Sequence, residues 1–254
     1  MNCLEIKNIN YSYQTLEAET LALQNISFTV QEGEFVSIVG PSGCGKSTLL
    51  NLICGLAKAD TGEILLNGTK LTQTSAHIGY MLQKDHLFEW RTVYSNVTLG
   101  LELKHHLNEN EKEKVQKMLD TYGLSAFSDS RPSQLSGGMR QRAALIRTLV
   151  MEPDLLLLDE PFSALDYQTR LEVCDDVHKI LKEQKKTALL VTHDLSEAIS
   201  FSYKIIVLSK RPGHIKSVLE IHFDNSLSPL QRRNAQEFPS YFNIIWKELM
   251  DYEK

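Results

Sequence analysis

Apolar and polar positions alternate through the first thirty residues: Leu4 and Ile6, then Ile26, Phe28 and Val30, each flanked by polar neighbours. A period of two marks a strand with one buried face, so this opening predicts half-buried antiparallel strands. Phe35-Val36-Ser37-Ile38-Val39 is an apolar run bounded by glycines, which suits a strand covered on both faces. From Lys46 to Leu56, the positions Leu49, Leu50, Leu52, Ile53 and Leu56 recur at helical spacing. A second β-like stretch is expected from Gly62 to Tyr80. The pattern then changes between 93 and 150. Glu109 to Leu119 is charged and helix-favouring, Arg131-Pro132-Ser133 interrupts, and Met139 to Leu149 is helical again. The β signal returns as Leu155-Leu156-Leu157-Leu158 and Ala188-Leu189-Leu190-Val191, with a helix-like segment between them. From Ser226 a loop leads into a helix striped by Phe242, Ile245, Trp246 and Leu249.

Strand–helix–strand alternation implies an α/β fold with a mostly parallel core sheet and helices on its faces. The expected organisation is a core from 1–86 and 151–225 that includes an antiparallel β subdomain. A helical subdomain at 87–150 splits that core, and a helical tail spans 226–254. There is no internal repeat or low-complexity segment, which argues against a solenoid.

Composition narrows the class. In 254 residues, 27 Lys and Arg stand against 32 Asp and Glu, a net charge of −5. With 42% apolar and 23% charged residues, the chain is neither disordered, collagenous nor a coiled coil. Its length supports a substantial core in one large or two small domains. No stretch reaches the roughly 18 consecutive apolar residues of a membrane span. The opening MNCLEIKNINYSY has no basic segment followed by an apolar one, so a secretory signal is not expected and the chain reads as soluble and intracellular. The acidic balance argues against nucleic acid held by phosphate neutralisation. Cys3, Cys44, Cys54 and Cys174 form no C-x-x-C pair and have no His at zinc-ligand spacing, which favours buried or incidental thiols. Cys44 is singled out because it lies in a glycine-rich loop whose amides are expected to lower a thiol pKa.

Gly40-Pro41-Ser42-Gly43-Cys44-Gly45-Lys46-Ser47 matches G-x-x-x-x-G-K-[ST] between a predicted strand and a predicted helix, the context that motif requires. The glycines let backbone N–H groups curl around phosphate oxygens, and the positive end of the new helix faces the same anion. Lys46 is placed to reach the β- and γ-phosphates, and the Ser47 hydroxyl to ligate Mg²⁺. Asp159 and Glu160 close a buried strand, where α/β sheets hold their ligands. Asp159 can hold Mg²⁺ through water, and Glu160 can orient or deprotonate an attacking water. Gln83 offers a carboxamide for Mg²⁺ or water, but a lone loop Gln is as readily polar surface. His193 ends another strand at the same rim, within expected reach of a γ-phosphate. His105 and His106 are neighbours in a charged helix and read as solvated. Ser136, Gly137 and Gly138 open a helix, either as a second anion site or as a simple N-cap at Ser136. Tyr11 and Tyr13 share one strand face and read equally as core.

Taken together these residues resemble the ATP-binding subunits of ABC transporters. The phosphate loop at 40–48 including Thr48, a glutamine loop at Gln83, the signature Leu135-Ser136-Gly137-Gly138-Met139-Arg140-Gln141-Arg142, the carboxylate strand at 155–160, Ser163-Ala164-Leu165-Asp166 and His193 follow in the family's order. The resemblance implies a P-loop ATPase binding ATP and Mg²⁺, with Gln83 among the metal ligands and Tyr13 stacking on adenine. It implies a homodimer packed head to tail, in which Ser136, Gly137 and Gly138 clasp the γ-phosphate held at the partner's Lys46 and Asp166 sits at the dimer seam. It also implies transmembrane permease subunits as partners near Gln83 to Asn96, an extracytoplasmic substrate-binding protein acting indirectly, and a peripheral place on the cytoplasmic face of the membrane. Trp90-Arg91-Thr92-Val93, the segment from Pro161 to Arg170, and Val207-Leu208-Ser209-Lys210-Arg211-Pro212-Gly213-His214-Ile215 resemble the nitrate, sulfonate and taurine importers and carriers of a thiamine precursor. Glu89 departs from that pattern, which has Pro before Trp. No extra C-terminal β-domain of the sugar-importer kind is expected. A soluble ABC-type ATPase uncoupled from transport is the alternative; a kinase with the same phosphate loop leaves the signature unexplained.

Overall fold

The structure, a computed structural model, describes residues 1–14, 18–104 and 107–250. His105 and His106, and the last four residues of the expected tail, lie outside the described residues. Strands β1 (Asn2–Gln14) and β2 (Glu19–Gln31) pair antiparallel, with Ile6 opposite Phe28 and Ile9 opposite Ile26. β3 (Phe35–Val39) is buried at every residue, as its unbroken apolar run requires. Helix α1 (Lys46–Ile53) follows, shorter than its pattern predicts because the chain turns at Gly55, a residue with φ of 76°. β4 (Thr61–Leu66) and β5 (Thr69–Lys70) complete a four-stranded sheet in the order β2-β1-β4-β5.

The stretch expected as one β unit from Gly62 to Tyr80 divides between two sheets. β6 (Ile78–Met81) leaves the antiparallel sheet and runs parallel to a strand more than seventy residues further along the chain. Its partner, and not its own pattern, settles where it goes. After β6 the chain becomes helical, with α2 (Val93–Val97), α3 (Leu99–Leu103), α4 (Glu109–Thr121), two single 3₁₀ turns and α5 (Gly137–Leu149). The core returns with β7 (Leu155–Asp159), α6 (Tyr167–Glu183), β8 (Thr187–Val191), α7 (Leu195–Phe201), β9 (Lys204–Leu208) and β10 (Ile215–Glu220). Two C-terminal helices follow, α8 (Pro229–Arg232) and α9 (Phe238–Met250).

The six-stranded sheet has the order β10-β9-β3-β8-β7-β6, with five parallel strands and β10 antiparallel at one edge. Along β7, Leu155 and Leu157 pack with α1 and the antiparallel sheet, while Leu156 and Leu158 pack with α5 and α6. Period-two alternation therefore works inside a wholly apolar strand, dividing it between two cores. A third core joins Val39, Ile205 and Val207 to α7 and to Ile245 of α9. Of the four stripe residues expected on α9, Ile245 is fully buried and Trp246 is 48% exposed, stacked on Phe242.

The tail is tied down by a buried cation. Arg232 Nη1 donates to Ser200 O at 3.2 Å, and its guanidinium lies over the rings of Tyr203 and Phe223 at 5.2 and 5.6 Å. A desolvated charge is tolerated here because two aromatic faces and a carbonyl receive it. Burial, with Arg232 and Lys182 nearby, pushes the His178 imidazole down to about 3, so it is neutral at physiological pH.

Within the antiparallel sheet, β4 approaches β1 closely at Gly62, beside a register shift between Lys7 and Asn10. Its φ is 88°, and an added Cβ would fall 2.4 Å from Lys7 O and 2.5 Å from Asn8 O. Gly62→Ala should lower stability by about 1–3 kcal/mol, read as a lower denaturant midpoint at unchanged slope. An unchanged midpoint would show that β1 shifts freely.

Candidate functional site

Strand register brings the site together. Ile38 pairs with Val191, and Val191 pairs with Asp159. Leu158 pairs with Met81. The carboxyl ends of β3, β8, β7 and β6 therefore stand at one level, and the residues just beyond them, Gly40, His193, Glu160 and Gln83, share one rim. This is where parallel α/β sheets hold ligands, because the helices that follow such strands aim their N-termini there. The rim opens into a cleft of about 750 Å³.

One end of the cleft is the phosphate loop. Gly45 caps α1 with φ of 107°, and a Cβ there would meet the Leu23 side chain at 2.6 Å, so only glycine fits. The Lys46 ammonium, nearly buried, donates to Gly40 O at 2.8 Å and to Pro41 O at 3.0 Å. The loop thus folds over its own cation and holds it without a carboxylate. Ser42, Gly43, Ser47 and Thr48 line the same end. Cys44 corrects the expectation that loop amides would lower its pKa: the thiol is buried, and that burial pushes its pKa up despite the nearby Lys46. Loss of solvent outweighs the local dipoles.

Opposite the loop stand the carboxylates. Ser47 Oγ donates to Asp159 Oδ1 at 3.3 Å, and Tyr80 OH donates to Asp159 Oδ2 at 3.3 Å. Two hard oxygen donors, Ser47 and Asp159, therefore face each other, a set that suits Mg²⁺. Burial pushes the Asp159 carboxyl above its ordinary range, partly offset by its bonds from Ser47 and Tyr80. Burial and the Asp159 charge push the Tyr80 hydroxyl up as well. Glu160 sits at φ of 46°, a left-handed backbone seldom taken by an L-residue, with its N–H donating to Val191 O at 2.8 Å. Its Oε2 accepts from Gln83 Nε2 at 3.0 Å and lies 3.2 Å from His193 Nδ1. The two residues singled out separately in the sequence converge on one oxygen of a third.

Tyr13 lies at the cleft, 41% exposed, while Tyr11 packs against the core and meets the Tyr13 ring edge to face at 5.1 Å. The two rings stay neighbours, and they differ in that Tyr13 reaches the cleft while Tyr11 lies further back along the strand against the core. Tyr13 OH is hydrogen-bonded to Thr48 Oγ1 at 2.7 Å.

The signature is elsewhere. Ser136 caps α5, its Oγ accepting from Met139 N–H at 3.3 Å, so the N-cap role is realised. Ser136 and Gly137 are exposed, and none of Ser136, Gly137 and Gly138 lines the cleft. Gly138 is packed against α6, where a Cβ would crowd Thr169 and Val173. Asp166 caps α6, accepting from Thr169 N–H at 3.1 Å.

With that geometry, the comparisons become decisive. The family model described as ABC transporter matches residues 23–163. The chain belongs to the ABC transporter family. It is an ATPase of that family, with the fold of an ABC ATP-binding cassette. An uncharacterised ABC transporter ATP-binding protein, YtlC of Bacillus subtilis (strain 168), is 44% identical over 100% of this chain and 98% of its own length. The aliphatic sulfonates import ATP-binding protein SsuB of Bacillus thuringiensis subsp. konkukian (strain 97-27) is 38% identical over 92% of this chain and 91% of its own. Among solved structures, a dimeric post-hydrolysis state of the ATP-binding cassette MJ0796 bound to ADP and Pi superposes with a TM-score of 0.74 at 33% identity. That match covers 87% of this chain and 99% of the other. Among the described residues no helix is long and apolar enough to cross a membrane.

Sequence reasoning missed several members of this ABC cassette's site. Tyr80 was legible only as a strand residue. Asp85, Glu89 and two arginines of α5 form a clamp: Arg140 Nε donates to Asp85 Oδ2 at 2.9 Å and Nη2 to Glu89 Oε1 at 2.7 Å, while Arg147 donates to Asp85 O and His86 O. Glu89, the departure from the subgroup pattern, is thereby paired with the signature helix. Burial raises the Asp85 pKa but the Arg140 hydrogen bonds more than offset it, leaving the carboxyl below its usual range. Trp90 beside it is 72% exposed. Arg211, quoted only as part of a subgroup motif, lines the cleft over the Tyr13 ring.

A raised Asp159 pKa means that the folded protein holds its proton more tightly than the unfolded chain. Stability therefore falls as pH rises from the ordinary Asp range through the raised value, and the ionised carboxylate remains a cost above it. Asp159→Asn should leave the thermal midpoint without nucleotide unchanged or higher, while abolishing any further rise on adding Mg²⁺ with ATP. A lower midpoint in the absence of nucleotide would overturn this account of Asp159.

Proposed function

We propose that this chain powers import of a small nutrient of the nitrate, sulfonate, taurine or thiamine-precursor kind through a membrane permease, by ATP-driven closure of two copies packed head to tail. One observation carries the reading: the cleft holds Lys46, Gln83, Asp159, Glu160 and His193, while Ser136, Gly137 and Gly138 lie outside it, the first two exposed. A second copy supplies what one cleft lacks. The dimeric state of MJ0796 and the importer named among the relatives support this. The described organisation also supports 1–86 and 151–225 as the ATP-binding core, 87–150 as the helical arm bearing the signature, and 226–254 as a tail.

In this mechanism Gly40, Pro41, Ser42, Gly43, Cys44, Gly45 and Thr48 surround the phosphates, and Tyr13 takes the adenine. Ser47, Asp159 and Gln83 would hold Mg²⁺, whose charge would offset that on the phosphate oxygens. Glu160 orients or deprotonates the attacking water, its strained backbone and Gln83 fixing the carboxylate. Lys46 and His193 face the γ-phosphate oxygens from one chain, and Ser136, Gly137 and Gly138 from its partner. The signature meets those oxygens only with ATP present, so binding energy differs between open and closed states, and that difference drives closure. Asp166 sits at the seam between the copies. The clamp from Asp85 and Glu89 to α5 carries the motion to the exposed Trp90 segment, where the permease docks at the cytoplasmic face. A substrate-binding protein outside the membrane acts on the permease alone, and nucleic acid has no part.

Glu160→Gln should retain ATP binding while turnover falls by about 10²- to 10⁴-fold, the range for loss of a general base. Wild-type hydrolysis in that variant would sink the role of Glu160. Pull-down of the tagged chain from detergent-solubilised source membranes should bring down an equimolar multi-span permease. Recovery of soluble partners alone would favour the ATPase uncoupled from transport.

A further inference from the structure

We propose that Arg211 is a nucleotide-binding residue, its guanidinium forming with Tyr13 the nucleoside end of the cleft and holding the base and ribose of ATP. This rests on the reading of the cleft as an ATP site and adds a residue to it.

Arg211 lies in the turn between β9 and β10 and is exposed to the cleft it lines. Its Cζ is 5.7 Å from the centroid of the Tyr13 ring, within cation–π reach. Among the described residues no carboxylate forms an ion pair with it. The backbone carrying it is fixed at several points. Ser209 N–H donates to His214 O at 2.9 Å, and His214 N–H donates to Ser209 Oγ at 2.9 Å, closing the turn. Gly213 N–H donates to Ala22 O, and Gln24 N–H donates to Gly213 O, both at 2.8 Å, pinning the turn to β2. Gly213 also packs on the phosphate loop, since a Cβ there would fall 2.1 Å from Cys44 O. The turn is therefore built against both walls of the cleft.

The consequence is pre-organisation. A long, flexible arginine on a mobile loop would lose much of its binding energy to ordering; here the backbone is already held. The guanidinium is planar and weakly hydrated, so it stacks on aromatic faces and offers N–H donors at its rim. A purine base brings a π face and a ribose brings hydroxyl acceptors, and both match that group. Lysine, a compact point charge, matches neither surface as well.

Binding of ATP, ADP and inorganic tripolyphosphate, each with Mg²⁺, to the full chain by titration calorimetry tests this. Arg211→Ala should weaken ATP and ADP by about tenfold and leave tripolyphosphate unchanged. Arg211→Lys should recover only a minor part of the loss. Thermal melting without ligand should match wild type, since the side chain is exposed. Equal weakening of tripolyphosphate would make Arg211 a phosphate contact and overturn the assignment. So would ATP binding in Arg211→Ala equal to wild type. Failure of the underlying reading is distinct: a wild-type chain that binds neither ATP nor tripolyphosphate.

Discussion

Five parallel strands end in one row because Ile38, Val191 and Asp159 sit at the same level of the sheet. The central strands β3, β7 and β8 are buried on both faces and have little freedom to slip, since a one-residue shift would exchange their two apolar faces between different cores. Leu156 and Leu158 serve the helical side while Leu155 and Leu157 serve α1 and the antiparallel sheet. With the level set, the residue after each strand has only one place to be. The phosphate loop, Gln83, Glu160 and His193 meet there although they are far apart along the chain.

That placement has an energetic cost, which the site carries openly. Burial raises the Asp159 pKa, two hydroxyl donors offset part of that rise, and Lys46 is held by two carbonyls. Glu160 adopts a left-handed backbone. None of this serves the fold on its own. A buried carboxylate and a buried ammonium facing one cleft are groups whose desolvation a polyphosphate with a divalent cation would offset.

The clamp between α5 and the 85–91 segment ties the helix that bears the signature to the loop that carries the exposed Trp90. Arg140 lies in the signature helix and joins it to Asp85 and Glu89 through charge-assisted bonds. Glu89 departs from its subgroup's pattern in sequence, but in the structure it belongs to the same ion-pair network.

Local features were fully legible from residue order. The two-residue period in β1, the unbroken apolar runs of β3, β7 and β8, the leucine spacing of α1 and the glycine-rich loop all follow from forces acting within a few residues. The phosphate loop, the carboxylate pair and the signature were legible for the same reason, since each is one short segment. What needed the tertiary structure was every pairing across distance. β6 shares a β-like stretch with β4 yet joins the other sheet, because its partner β7 is supplied by a segment more than seventy residues on. Tyr13 and Tyr11 are alike in pattern and differ in place because only Tyr13 lies next to the phosphate loop, bonded to Thr48, while Tyr11 packs on the core. Cys44 has the loop amides its sequence promises, but its pKa follows the surrounding burial that no local pattern encodes. Gln83, His193 and Arg211 were lone polar residues until the sheet order set them beside Glu160 and Tyr13. Sequence alone settled which segments fold and what chemistry each carries, because those depend on neighbours along the chain. Register and packing decided which chemistries meet, because those depend on neighbours in space.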